Sequence, residues 1–320
     1  MLNNAVFMAK RFELMGEDKI CGLMPLFHVF GLIISKLSSL CAGTSLVIPC
    51  SGFDPGETLK TLQQEKCTSI HGAPAMYIGL VEAQKKLNTP IEGLKYAVTG
   101  GAACSPQFIE DIEKILNIPK VLNGFGISEL SGATFFQEIE ESRQNLLETV
   151  GHLNDHLEAK VVDPNGKVVP FGTPGELLIR GYSTMLGYYG DPEKTQEVLG
   201  VDKWYRTGDQ FVLREDGYGQ VVGRLKEMII RGGENIFPIE IENFLNTHPD
   251  IIECFVVGVP DKVMGEEACA FVRAEDGKTL DSEKIKQYCK GKIAHFKIPK
   301  HCRMVKEFQK LLLGRCKSLH

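Results

Sequence analysis

Along its first third the chain alternates short apolar runs, bounded by turn residues, with longer stretches of helical period. Residues 44–49, 68–71, 94–98 and 120–123 are too short to be helices and read as buried strands. Between them, residues 55–66, 74–86 and 105–116 space their apolar positions as a helix does. Pro55, Pro74 and the Ser105-Pro106 pair suit a first helical turn. Such alternation predicts an α/β domain of parallel strands joined by crossover helices. From residue 157 to 222 the period shifts towards two, with turns at Pro164-Asn165-Gly166 and Asp216-Gly217, which predicts a β-rich subdomain. The remainder reads as a small α+β unit with helix 238–246, strands 251–259 and 268–273, and helix 282–292. Residues 1–16 mix Lys10 and Arg11 with Glu13, so they read as an internal helix and not as a transit peptide.

Composition narrows the classes. A chain of 320 residues, 43% hydrophobic, can bury a large core, and its length favours two domains. A net charge of -5 gives no electrostatic reason to expect nucleic acid or an anionic membrane as partner. The longest apolar stretch, residues 31–40, is interrupted by Ser35 and Lys36 and is too short for a membrane span. Ten scattered cysteines without a Cys-x-x-Cys pair read as reduced thiols in a reducing compartment. His152 and His156 are four apart, but Gly151 and the alternation of Leu157, Ala159 and Val161 favour a strand there, and no third ligand is near in sequence.

Several segments carry residue types suited to a nucleotide. Asp209, in Trp204-Tyr205-Arg206-Thr207-Gly208-Asp209, could accept from both hydroxyls of a ribose, and the fork of Arg224 could hold the same sugar. Gly232 and Gly233 would let a slender ligand run along bare backbone. In Asn123-Gly124-Phe125-Gly126-Ile127-Ser128-Glu129, Phe125 offers a flat face, Ser128 a hydroxyl for phosphate, and Glu129 a hard oxygen ligand for Mg²⁺. Each also has a plain reading: Thr-Gly-Asp is a common turn, a Gly-Gly pair is a loop, and Ser128 with Glu129 could simply cap a helix. His28, in Met24-Pro25-Leu26-Phe27-His28-Val29-Phe30-Gly31, could equally be a packed core residue.

These segments, in this order and spacing, resemble the adenylate-forming acyl-CoA synthetases. Within that family the likeness is to the mitochondrial medium-chain acyl-CoA ligases, and it covers nearly the whole chain. Gly175–Gly181 with Tyr182, the run Met185-Leu186-Gly187-Tyr188-Tyr189, and residues 291–300 add to it. The resemblance implies ATP, CoA and Mg²⁺ as co-substrates and cofactor, and a small carboxylate as substrate. It implies nucleotide contacts from Gly101, Ala102, Asn123, Gly124, Phe125, Gly126, Ser128, Asp209 and Arg224, and an acyl pocket near His28, Gly31 and Gly100. Glu129 would hold the metal, and Gly232 with Gly233 would line the CoA tunnel. Lys226 would be the hinge between an AMP- and acyl-binding domain at residues 1–225 and a mobile C-terminal domain at 226–320. A mitochondrial location is implied by likeness only, with a cytoplasmic one as the alternative.

The sequence departs from the family pattern twice. The Ser/Thr/Gly-rich phosphate loop ending in Pro-Lys-Gly is not present between Met1 and Cys21, so the chain is expected to represent part of a longer protein. Arg315 stands where the family carries its catalytic lysine, and a planar guanidinium does not replace a compact ammonium in a tight site. Adenylation is therefore expected to be weak and the thioester step to be spared. Two functions stay open: an acyl-CoA ligase acting through an acyl-adenylate, or a catalytically silent relative that binds nucleotide, acyl-CoA or a protein partner.

Overall fold

The computed structural model of the chain describes residues 1–100, 106–275 and 277–308. These fall into two compact units, the first comprising most of the chain up to Val221, the second running from Val222 onward and including residues 106–108 and Gly208–Gln210.

The first unit is built on a sheet whose parallel part follows the predicted alternation. Strands β1 (Lys19–Gly22), β2 (Ser45–Val47), β3 (Ser69–His71), β4 (Tyr96–Gly100), β5 (Val121–Phe125), β6 (Phe135–Phe136) and β7 (His152–Leu153) lie in the order β2-β1-β3-β4-β5-β6-β7. The first five are parallel, and β6 and β7 extend the sheet antiparallel. The helices are α1 (Leu2–Arg11), α2 (Ser38–Ala42), α3 (Pro55–Glu65), α4 (Pro74–Leu87), α5 (Pro106–Ile115), α6 (Arg143–Glu148) and α7 (Pro192–Val198). A π-helical segment, Phe30–Leu37, runs straight into α2. The start of α3 is fixed by Asp54, which accepts from the Glu57 N–H at 2.8 Å, with Pro55 in the first turn where its missing N–H is harmless.

Apolar clusters hold this unit. Met8, Phe12, Ile20, Phe30, Tyr96, Leu122 and Phe136 form one of them. A second joins Phe125, Leu130, Phe135, Val161, Ile179 and Phe211, from β5 and β6 and from the predicted β-rich region. That region is a sheet in the order β11-β10-β9-β8, from β8 (Leu157–Val162), β9 (Gly175–Gly181), β10 (Tyr205–Leu213) and β11 (Gly219–Arg224). On β8, Leu157 and Val161, on one face, are buried while Glu158 is exposed, and Val162 at the end of the strand is buried on the other face.

In the second unit, β12 (Ile229–Arg231), β13 (Glu234–Ile236), β14 (Ile251–Asp261) and β15 (Gly265–Ala274) lie in the order β13-β12-β15-β14, and β16 (His301–Met304) pairs parallel with β15. Helices α8 (Pro238–Leu245) and α9 (Ser282–Cys289) supply Ile241, Leu245 and Ile285 to its core, against Val256, Ala270 and Val272. No helix among the described residues is long and apolar enough to cross a membrane.

Candidate nucleotide site

In an open parallel sheet, ligands gather outside the carboxyl ends of the strands. Two of the segments with candidate chemistry leave those ends: residues 23–30 follow β1, and residues 126–133 follow β5. Phe125 closes β5, buried, with its ring 5.8 Å from that of Phe211. A Cβ on Gly124 would lie 2.4 Å from the Phe136 ring, and one on Gly126 would lie 2.1 Å from the Gly132 carbonyl oxygen. Both glycines are therefore places of close approach, and Gly100, whose added Cβ would sit 2.8 Å from the Gly124 oxygen, is a third. Asn123 accepts from the Gly124 N–H at 2.9 Å through Oδ1, while its own N–H donates to Gln137 Oε1 at 2.7 Å.

Ser128 and Glu129 stand on one tight turn and do not cap a long helix. Ser128–Leu130 forms a single 3₁₀ turn, closed by Leu130 N–H to Ile127 O at 3.1 Å and Gly132 N–H to the same oxygen at 2.9 Å. Ser131 and Gly132 then take positive φ, +57° and +78°. Ser128 is exposed and Glu129 half-buried. The Met185 N–H donates to the Glu129 carbonyl at 2.8 Å, and the Tyr188 hydroxyl donates to its Oε1 at 2.8 Å. One carboxylate so placed suits Mg²⁺ that arrives with nucleotide phosphates, since that ion keeps most of its waters and asks for one or two protein oxygens. No group of three or more His, Cys, Asp or Glu side chains that could hold a metal unaided occurs among the described residues.

His28 is half-buried, and burial lowers its pKa. Its Nδ1 accepts from the Phe30 N–H at 3.2 Å, a local turn contact. Gly31 is confined by backbone, because a Cβ there would meet the Pro25 oxygen at 2.3 Å. The neighbouring Val29 packs on Gly132, whose added Cβ would lie 3.1 Å from the Val29 Cβ, so the loop after β1 and the turn after β5 touch.

Asp209 and Arg224 meet as a pair in the second unit. Arg224 Nε donates to Asp209 Oδ1 at 2.9 Å, with the Asp209 side chain only 4% exposed and that of Arg224 36%. Lys226 is exposed on a 3₁₀ turn, Leu225–Glu227, between β11 and β12. Gly232 and Gly233 are exposed, at φ +56° and +90°. A Cβ on Gly232 would come within 2.5 Å of the Met264 Cε, and the Gly232 N–H donates to Met264 O at 2.8 Å. Beside them Arg231 Nε donates to the buried Glu267 at 2.6 Å, which ties the loop to β15. Gly101, Ala102 and Arg315 lie outside the described residues.

Phe125, Ser128 and Glu129 thus belong to the first unit, and Asp209 with Arg224 to the second. Tyr182 and Tyr188 both lie in runs that carry the resemblance but were given no role by the sequence, and Asn4 carried no signal at all.

Residues 1–189 match the AMP-binding enzyme family and residues 240–314 match the AMP-binding enzyme C-terminal domain. The chain belongs to the AMP-binding enzyme family. It is similar to the mitochondrial medium-chain acyl-CoA ligase ACSF2 of Danio rerio, at 40% identity over 98% of this chain and 52% of that protein. It is likewise similar to the same enzyme of Bos taurus, at 38% over 98% of this chain and 52% of that one. The chain therefore spans about half the length of the curated relatives it matches. Among solved structures, ATP-bound MatB from Rhodopseudomonas palustris superposes with a TM-score of 0.87 at 26% identity, covering 98% of this chain and 61% of that one. The anthranilate CoA ligase AuaEII in complex with anthranoyl-AMP has a TM-score of 0.90 at 24% identity, over 98% and 61% of the two chains, and shares the fold.

Proposed function

We propose that this chain carries the adenosine-binding and C-terminal parts of an ATP-dependent acyl-CoA ligase for a medium-chain fatty acid or related carboxylate, working in mitochondria. The observation that carries the reading is the turn directly after Phe125, on which an exposed Ser128 hydroxyl and a Glu129 carboxylate stand side by side, in a chain 40% identical to a medium-chain ligase. In the first step a carboxylate oxygen attacks the α-phosphorus of ATP and pyrophosphate leaves. In the second a CoA thiol, giving up its proton, attacks the acyl carbonyl and AMP leaves.

Phe125 would stack on adenine, Asp209 and Arg224 would hold the ribose hydroxyls, and Ser128 would donate to the phosphate. Mg²⁺, held by Glu129, would neutralise charge building on the phosphate oxygens. Gly232 and Gly233 would let the pantetheine arm pass. Lys226 would serve as the hinge between residues 1–225 and 226–320, because its turn exposes a short segment between two strands.

Two assays separate the half-reactions: ATP–pyrophosphate exchange with a panel of fatty acids, and thioester formation from supplied acyl-adenylate and CoA. Thioester formation with little exchange is the expected result. A chain that binds neither acyl-adenylate nor AMP would sink the ligase reading. The second reading, a catalytically silent nucleotide- or acyl-CoA-binding relative, is favoured by Arg315 at the position of the family's lysine. Binding of AMP without either half-reaction would decide for it.

A further inference from the structure

The turn that presents Ser128 and Glu129 is held from behind by a side chain more than 120 residues away in sequence. Asn4, on α1, is fully buried. Its amide nitrogen points at three carbonyl oxygens of the turn: Leu130 at 3.3 Å, Ser131 at 3.0 Å and Ala133 at 3.1 Å. Its amide oxygen accepts from the Tyr182 hydroxyl at 2.6 Å. A buried asparagine is tolerated only when its polar atoms find partners, and here both ends of the amide do.

The need for such a clamp follows from the backbone. Ser131 and Gly132 in succession take left-handed φ, which a non-glycine residue adopts only with help, and the turn leaves three carbonyl dipoles facing the same small volume. Together these oxygens repel one another, and the two amide protons of Asn4 offset that. Tyr182 fixes which way the amide faces, since a flipped amide would set oxygen against oxygen. Burial pushes the Tyr182 hydroxyl up to about 12, so it stays a donor across the whole working range of pH. The other edge of the turn is held by Ser131 Oγ donating to Ser183 O at 3.0 Å and by the Met185 and Tyr188 contacts to Glu129. With its back and edge fixed, the turn has Ser128 as its exposed face.

The geometry points to Asn4 and Tyr182 as a positioning pair that aims the Ser128–Glu129 turn at the phosphate of a bound adenylate. This rests on the nucleotide reading above. Neither residue touches the ligand; each acts through the turn. Their effect is therefore specific to the phosphate and absent from the nucleoside.

The test measures AMP and adenosine binding to the whole chain by calorimetry, in the wild type, in Asn4→Ala and in Tyr182→Phe, with circular dichroism as a check on folding. Asn4→Ala is expected to weaken AMP about tenfold and Tyr182→Phe about threefold, each with adenosine affinity unchanged within about twofold. If Asn4→Ala does not fold, Tyr182→Phe decides, because it keeps the ring beside Phe7 and removes only the hydroxyl. Equal weakening of AMP and adenosine, or no change in AMP in a folded variant, overturns the positioning role and leaves the nucleotide reading standing. A wild-type chain that binds neither compound overturns both.

Discussion

The Tyr188 hydroxyl donates to Oε1 of Glu129 at 2.8 Å, joining the segment after β9 to the turn after β5. Burial raises the Tyr188 pKa, Tyr205 opposes that and Glu129 adds to it, so the phenol remains a donor at neutral pH. The contact occupies one carboxylate oxygen and orients the other. Replacing Tyr188 by Phe removes the donor and keeps the ring. The variant is expected to stay folded, with a stability loss of about 1 kcal/mol. Its Mg²⁺-dependent gain in ATP affinity should fall by about threefold to tenfold. Titrating ATP with and without Mg²⁺ checks this, and an unaltered Mg²⁺ effect would show that Tyr188 does not orient Glu129 for the metal.

The Asp209–Arg224 pair should behave as a coupled unit. Arg224→Met takes away one partner of a carboxylate that is 4% exposed, and is expected to destabilise the chain by about 1–3 kcal/mol. Asp209→Asn keeps the shape and loses the charge, so adenosine affinity should drop about tenfold. The two changes together should amount to less than their sum, because each already breaks the same contact. Urea melts and adenosine titrations of the four proteins test it; strict additivity would mean that the pair does not act as one.

Gly126→Ala probes the close approach behind the turn. The new Cβ would lie 2.1 Å from a backbone oxygen of Gly132, and backbone cannot swing aside as a side chain can. A loss of about 1–3 kcal/mol is expected, together with weaker AMP binding, as the turn is forced away from β5. Urea unfolding and AMP titration check both parts, and a fully stable Gly126→Ala protein would contradict the contact.

Glu242 gives a pH dependence with a definite sign. Burial lifts its pKa to about 7, the Val256 N–H donating to Oε1 at 2.8 Å opposes the rise, and Glu227 adds to it. A carboxyl with a raised folded pKa holds its proton longer in the folded state. Its stabilising contribution is complete below the unfolded value near 4.5 and is lost as pH rises through about 7. Glu242→Gln keeps the acceptor and cannot ionise. The stability difference between Glu242→Gln and the wild type should grow in favour of the variant by about 1–2 kcal/mol from pH 6 to pH 8.5. Taking the difference between the two proteins cancels other titrating groups, and a gap that does not change with pH would refute the assignment.

The fold was legible where one element's period was enough. Pro55–Glu65, Pro74–Leu87 and Tyr96–Gly100 stand within a residue or two of their predicted positions, because apolar spacing and a proline in the first helical turn are local signals. Lys19–Gly22 went unread: four residues with two buried apolar side chains, Ile20 and Cys21, make a strand only because β2 and β3 flank it on both sides. The two-residue strands β6 and β7 are invisible for the same reason. The apolar stretch of residues 31–40 gave no sign that Phe30–Leu37 winds as a π-helix, nor that Gly31 lies where a Cβ would meet the Met24 and Pro25 carbonyl oxygens.

What the sequence determined alone was the kind of chemistry: an aromatic, a hydroxyl and a carboxylate in Phe125, Ser128 and Glu129, an acid and a cation in Asp209 and Arg224, and glycines where backbone must be approached. Residue type and spacing carry that information because a functional group's chemistry is intrinsic to it. The tertiary structure decided which groups meet and how each is held. Asn4 reads as one more polar residue of an amphipathic helix until α1 is packed, and only then do the oxygens of Leu130, Ser131 and Ala133 and the hydroxyl of Tyr182 converge on it. Hydrogen bonds are fixed over about 3 Å in space, whereas the chain separating these partners is free to take any path that buries its apolar face.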